Sequence, residues 1–68
     1  MKIIAVKEVF IRTRITHGFS QRELARRAKL SHSYVSLIER GDKAIGPASA
    51  KRLSDALQIP MDQLFQIE

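Results

Sequence analysis

The 68-residue chain has no cysteine and no tryptophan. Without thiols it has neither a disulfide nor a thiolate zinc site to staple it. One domain spanning residues 1–68 lies near the lower size limit for independent folding. Its core must come from aliphatic packing, to which a dimer partner can add. The only aromatics are Phe10, Phe19, Tyr34 and Phe65. No apolar run approaches the roughly 18 residues needed to span a membrane. Met1–Val6 is apolar but too short for a signal peptide, so the cytoplasm is the expected location. The equipment of catalysis is equally scarce. His17 and His32 are the only histidines, and there is no acid pair and no glycine-rich phosphate loop. His17 reads as a solvated partner of a helix dipole, and His32 has no evident base beside it. The expectation is a protein that is not an enzyme and holds no metal or cofactor.

What is abundant is positive charge, unevenly placed. Residues 1–54 carry all twelve Lys and Arg against four acids, for net +8. Residues 55–68 carry Asp55, Asp62 and Glu68 and no base, for net −3. A basic body suits a polyanion. The acidic tail is expected on the far side, where a dimer partner can sit.

There is no repeat, linker or low-complexity stretch. Val6–His17 reads as a first helix, with Val6, Val9, Phe10 and Ile15 on one stripe and Gly18 as a left-handed terminator. Ser20 opens a second helix in a capping box with Glu23. Its inner face is Leu24, Ala25 and Ala28; Arg22, Arg26 and Arg27 face outward. Lys29-Leu30 makes a turn. Ser31 caps a third helix running to about Arg40, with Val35 and Ile38 inward, and Gly41 stops it. After a loop over residues 42–45, Gly46-Pro47 opens a fourth helix whose inner face is Ala50, Leu53 and Leu57. Ile59-Pro60 breaks the chain before a last short helix carrying Leu64 and Phe65. Residues 66–68 can pair with residues 1–5 as a small two-stranded sheet. The sum is an all-α class: a compact bundle of five short helices with optional terminal strands.

The two serine start signals are eleven residues apart. Helices this short, joined this tightly, cross steeply, which is the geometry of a helix-turn-helix over about residues 20–40. Ala25 lets the two backbones approach. The third helix turns His32, Ser33, Ser36 and Leu37 to solvent. Serine can bond to several bases, histidine can donate to guanine, and leucine can touch a thymine methyl. Gln21, beside the free N–H groups of the second helix, suits a phosphate. Tyr34 either reaches a phosphate or covers the junction of the two helices. Lys43 and the N–H groups that open the fourth helix at Gly46 make a second phosphate clamp, with Arg40 joining it or staying solvated. Arg14 and Glu39 are expected to form a partly buried ion pair between the first and third helices, with an architectural role.

Ser-Gln-Arg-Glu-Leu-Ala, then Leu-Ser, a buried Val-Ser-x-Ile, Glu-Arg-Gly, and Ala-Leu-Gln-Ile-Pro-x-Asp-Gln-Leu-Phe together resemble the Cro and phage-repressor helix-turn-helix proteins, the XRE family, over roughly residues 6–65. The resemblance implies a lambda-repressor-like five-helix domain. It implies a homodimer on double-stranded operator DNA, with the third helix in the major groove of each half-site. It lays the family's phosphate-contacting glutamine on Gln21, its base-reading positions on His32, Ser33, Ser36 and Leu37, and its Arg–Glu pair on Arg14 and Glu39. Three positions depart from the pattern. Lys29 stands where glycine is usual, Ile45 where proline is frequent, and Leu37 where a polar reader is common.

Two functions follow from different classes. The first is a transcriptional regulator that represses by occupying an inverted-repeat operator. The second is an antitoxin or anti-repressor that binds a protein partner, with DNA binding secondary.

Overall fold

The computed structural model describes residues 1–68. In chain order the elements are β1 (Ile3–Ala5), α1 (Lys7–Thr16), α2 (Gln21–Ala28), α3 (His32–Glu39), α4 (Pro47–Leu57), α5 (Met61–Leu64) and β2 (Phe65–Ile67). None of the helices is long and apolar enough to cross a membrane.

Three helices end in one device. After α1 the N–H of Gly18 bonds to the Ile15 carbonyl and that of Phe19 to the Arg14 carbonyl. Lys29 and Leu30 do the same after α2, on Arg26 and Ala25; Gln58 and Ile59 repeat it after α4, on Asp55 and Ser54. This paired pattern satisfies the last helical carbonyls but requires a left-handed residue at its centre. Gly18 supplies that at φ 74°, whereas Lys29 and Gln58 adopt it at φ 58° and 56° with a Cβ present. The buried Ser54 hydroxyl adds a bond by donating to the Ile59 carbonyl.

The core is one cluster that draws on every element, including Phe10, Leu24, Val35, Leu53, Leu57 and Leu64, all fully buried. On α1 the stripe differs from the sequence reading. Phe10 is buried, but Ile15 is 61% exposed and Val6, the residue before the helix, is also exposed. Five residues on, a helix turns about 140° past Phe10, whereas four residues on it returns to within about 40°. Arg14, not Ile15, therefore takes the inward position.

Phe65 also departs from its expected place. It leaves α5 with φ −127° and ψ 150° and begins β2, so pairing starts one residue earlier than the sequence indicated. The antiparallel register is Ile3↔Ile67, Ile4↔Gln66 and Ala5↔Phe65, extended by reciprocal Lys2–Glu68 bonds. The extended backbone turns the Phe65 ring onto Phe10, edge to face at 6.2 Å. A contact of this kind adds about 0.5–1.5 kcal/mol beyond burial. The other edge of β1 is covered: Ile45 is buried and its N–H donates to the Ile3 carbonyl at 2.9 Å. Proline at this position would lack that donor.

Holding an L-residue in the left-handed region costs about 1–2 kcal/mol, and glycine returns part of the gain as unfolded-chain entropy. Lys29→Gly is therefore expected to stabilise the fold by about 1 kcal/mol, raising Tm by about 4–8 °C for a domain of this size. Thermal unfolding followed by circular dichroism measures it; an unchanged or lower Tm contradicts the strain at Lys29.

Candidate nucleic-acid interface

Two serine caps build the α2–α3 unit. Ser20 Oγ accepts the Glu23 N–H and Ser31 Oγ the Tyr34 N–H, each at 3.1 Å. The second half of the expected capping box is absent. The Glu23 carboxylate turns forward to Arg26 (2.6 and 3.1 Å) and Arg27 (2.7 Å) rather than back to the Ser20 N–H. Two guanidinium groups one turn ahead offer charge-assisted bonds that a neutral amide cannot match. The Arg26 bonds first, and then those of Arg27, hold the Glu23 carboxyl below its ordinary value, while Glu23 raises Arg26. The Glu23 contribution is thus present above the ordinary carboxylate range. It is lost as pH falls through the lowered value. Arg27 also lies over the Phe19 ring, 4.5 Å from its centroid.

The inner face of α2 includes two small side chains. Ala25 and Ala28 are buried against the core, which lets the helices approach closely. With Val35 and Ile38 fully buried, the opposite face of α3 turns outward. His32, Ser33 and Leu37 are exposed and Ser36 is half-buried.

The orientation of α3 is fixed at its far end by a charged network. Arg14 Nη2 donates to Glu39 Oε1 at 2.7 Å, and Arg14 Nε donates to Glu39 Oε2 at 3.0 Å. Arg14 Nη1 donates to the Phe19 carbonyl at 2.9 Å. Gln21 Nε2 donates to Glu39 Oε2 at 3.0 Å, and Gln21 Oε1 lies 3.3 Å from His32 Nε2. The side chains of Arg14 and Glu39 are only 15% and 7% exposed. One connected set of bonds thus runs from α1, through the start of α2, to the first turn of α3. Gln21 keeps its second amide hydrogen for an outside acceptor.

The remaining expected positions differ in burial. Tyr34 is half-buried and packs on the core. Arg40 and Lys43 are exposed. Gly46 opens α4 with no side-chain cap, which leaves first-turn N–H groups without a side-chain partner. Sequence reasoning missed Lys7. It lines a cleft of about 230 Å³ with Ile11, Gln21, Ser36, Glu39 and Arg40. No sequence signal marks it, because its neighbours come from α2 and α3. No group of three or more His, Cys, Asp or Glu side chains could hold a metal.

A helix-turn-helix family model matches residues 11–64. The structure is similar to the restriction-modification controller protein C.AhdI from Aeromonas hydrophila, with 32% identity and TM-score 0.79 over 87% of this chain and 89% of that one. It is similar to the hypothetical transcription factor NHTF from Neisseria, with 26% identity and TM-score 0.73 over 88% and 76%. The clp gene regulator ClgR from C. glutamicum follows, with 27% identity and TM-score 0.71 over 82% and 73%. No curated protein sequence matches the chain.

Removing one side of a buried pair leaves an uncompensated charge at a cost of about 3–5 kcal/mol. Glu39→Ala is expected to lower stability by about that amount. The double variant Arg14→Leu with Glu39→Leu should be less destabilised than Glu39→Ala alone, since no charge is stranded. Urea unfolding of the two variants measures the difference; equal losses would mean that the pair contributes only as packing.

Proposed function

The chain belongs to the XRE family of helix-turn-helix proteins, DNA-binding regulators of transcription, and on that premise we propose that it is a repressor that binds an inverted-repeat operator as a homodimer. Residues 1–68 act as one DNA-binding domain, with α3 in the major groove of each half-site. His32, Ser33, Ser36 and Leu37 face base edges. Gln21, Arg40, Lys43 and the amide groups at Gly46 contact phosphates; Tyr34 adds its hydroxyl, and Lys7 joins them from α1. The observation that carries this reading is the α3 face itself. It is polar and solvent-facing in its first turn, anchored from behind by the Arg14–Glu39–Gln21 bonds, and bordered by exposed Lys7 and Arg40, with exposed Lys43 in the loop that follows. A helix presented this way meets bases with its N-terminal residues, while surrounding cations position it on the backbone. Occupying promoter DNA then represses by exclusion, and the site of action is the cytoplasm.

The homodimer is supported by the terminal sheet. β2 pairs only with β1, leaving one strand edge open, and Ile67 on it is 48% exposed. One observation favours the second reading, an antitoxin-like or anti-repressor module that binds protein. The outer face of α1 carries a shallow groove lined by Val9, Ile11 and Ile15.

Selection of sites from random duplex DNA, followed by a salt titration on the winner, tests the reading. The expected product is an inverted repeat with half-sites about one helical turn apart and affinity that falls steeply with salt. Ser33→Ala should relax preference at one base position by about 1–3 kcal/mol, whereas Lys43→Ala should weaken all sequences alike and reduce the salt slope by about 1. No enriched sequence, or equal behaviour of the two variants, would overturn the placement of α3 and favour the protein-binding reading.

A further inference from the structure

His32 and Gln21 are joined by bonds whose polarity is forced. Two donors from Arg14 hold the Glu39 carboxylate, which can only accept. Gln21, 3.0 Å from Glu39 Oε2, must therefore turn its amide nitrogen inward. That leaves its carbonyl oxygen facing His32 Nε2 at 3.3 Å. A carbonyl oxygen accepts and does not donate, so Nε2 carries a hydrogen. A neutral imidazole has one N–H, and the other nitrogen is a bare acceptor. In His32 that acceptor is Nδ1, on an exposed side chain in the first turn of α3. The chain contains its own contrast. His17 Nδ1 lies 2.8 Å from the Thr13 carbonyl, which by the same logic puts the hydrogen of His17 on Nδ1.

We propose that Gln21, oriented by Glu39, is a specificity-determining positioning residue. It holds neutral His32 as the Nε2–H tautomer and so presents Nδ1 to DNA as a hydrogen-bond acceptor. The proposal rests on reading α3 as the DNA-recognition helix. In the major groove the matching donors are the N4 amino group of cytosine and the N6 amino group of adenine; guanine offers only acceptors at N7 and O6. A histidine considered alone invites pairing with guanine as a donor. Set in this network while neutral, it selects against guanine. The two ends of Gln21 then do different work. Its nitrogen is fixed by the buried ion pair that orients α3, and its oxygen passes that fixed polarity to the reading side chain. A base preference is thereby set by α1 and by the end of α3, neither of which needs to touch the base.

The test has two arms on the full chain. In the first, histidine-labelled protein without DNA is observed by long-range proton–nitrogen correlation at about pH 8, above the ordinary histidine range. Wild type is expected to show His32 with protonated Nε2 and bare Nδ1, and His17 in the opposite tautomer. In Gln21→Ala the His32 nitrogens should move toward the averaged values of exchanging tautomers. The His17 signals should stay put, which reports an intact fold. In the second arm, site selection with wild type should enrich cytosine or adenine at one position per half-site. His32→Ala should lose that preference. Gln21→Ala should weaken it on the order of tenfold while preferences at other positions persist. A His32 Nδ1–H tautomer or averaged tautomers in wild type, guanine at the position, or an unchanged preference in Gln21→Ala each overturn the proposal. An absence of any selected sequence overturns the DNA reading, and with it the base assignment, independently of the tautomer.

Discussion

The position of α3 depends on one buried pair of charges. Arg14 and Glu39 are 25 residues apart in sequence and nearly removed from water. Taking them there is costly unless their hydrogen-bonding capacity is satisfied. It is: Arg14 spends its donors on Glu39 and on the Phe19 carbonyl, and Glu39 also accepts from Gln21. No buried side-chain polar atom lacks a partner. The geometry of this pair is narrow, because a planar guanidinium meets a carboxylate through two parallel bonds. It therefore sets where α3 ends relative to α1. Through Phe19 and Gln21 it also sets where α2 begins. Buried Ala25 and Ala28 keep the inner face of α2 small where it packs into the core.

The rest of the fold serves to make such short elements hold. Helices of eight residues are marginal alone, so the caps count for much. Each of α2 and α3 has a serine at its start, and α1, α2 and α4 share one terminating device. The two strands then bring both ends of the chain onto the same core, where Phe65 meets Phe10. The Ile45 N–H closes the edge of β1 that would otherwise stand open.

Charge placement refines the DNA-binding reading. The excess of Lys and Arg overstates the surface free for phosphates, because Glu23 engages Arg26 and Arg27, and Arg14 is paired with Glu39 and mostly covered. Exposed Lys7 and Arg40 line the cleft beside Ser36 and Glu39 of α3, and exposed Lys43 follows in the loop after that helix. The outward α3 side chains His32, Ser33, Ser36 and Leu37 include no long bidentate donor, so on the proposed placement of α3 positioning on the backbone and the polarity of His32 have more influence.

Features that depend on neighbours along the chain are legible in the amino-acid order alone. Ser20 and Ser31 caps, Gly18 and Gly41 stops, Pro47 at a helix start and the apolar spacing of α2, α3 and α4 are local signals, and the helices follow them. The order of motifs likewise pointed to the helix-turn-helix family. Other features arise where distant groups compete for one side chain, and they emerge only when the chain has folded. Ile15 was read onto the inner stripe of α1 although the Arg14–Glu39 pair was expected too; adjacent residues cannot both face inward, and the Glu39 carboxylate holds Arg14 there. Glu23 was read as reaching back to Ser20; two guanidinium groups took it forward. Phe65 left its helix because the strand Ile3–Ala5 and the ring of Phe10 were there to receive it. The hydrogen on His32 was likewise undetermined by its neighbours. A ring nitrogen takes its role from the atom it faces, and that atom was oriented by a carboxylate from the end of α3 and an arginine from α1.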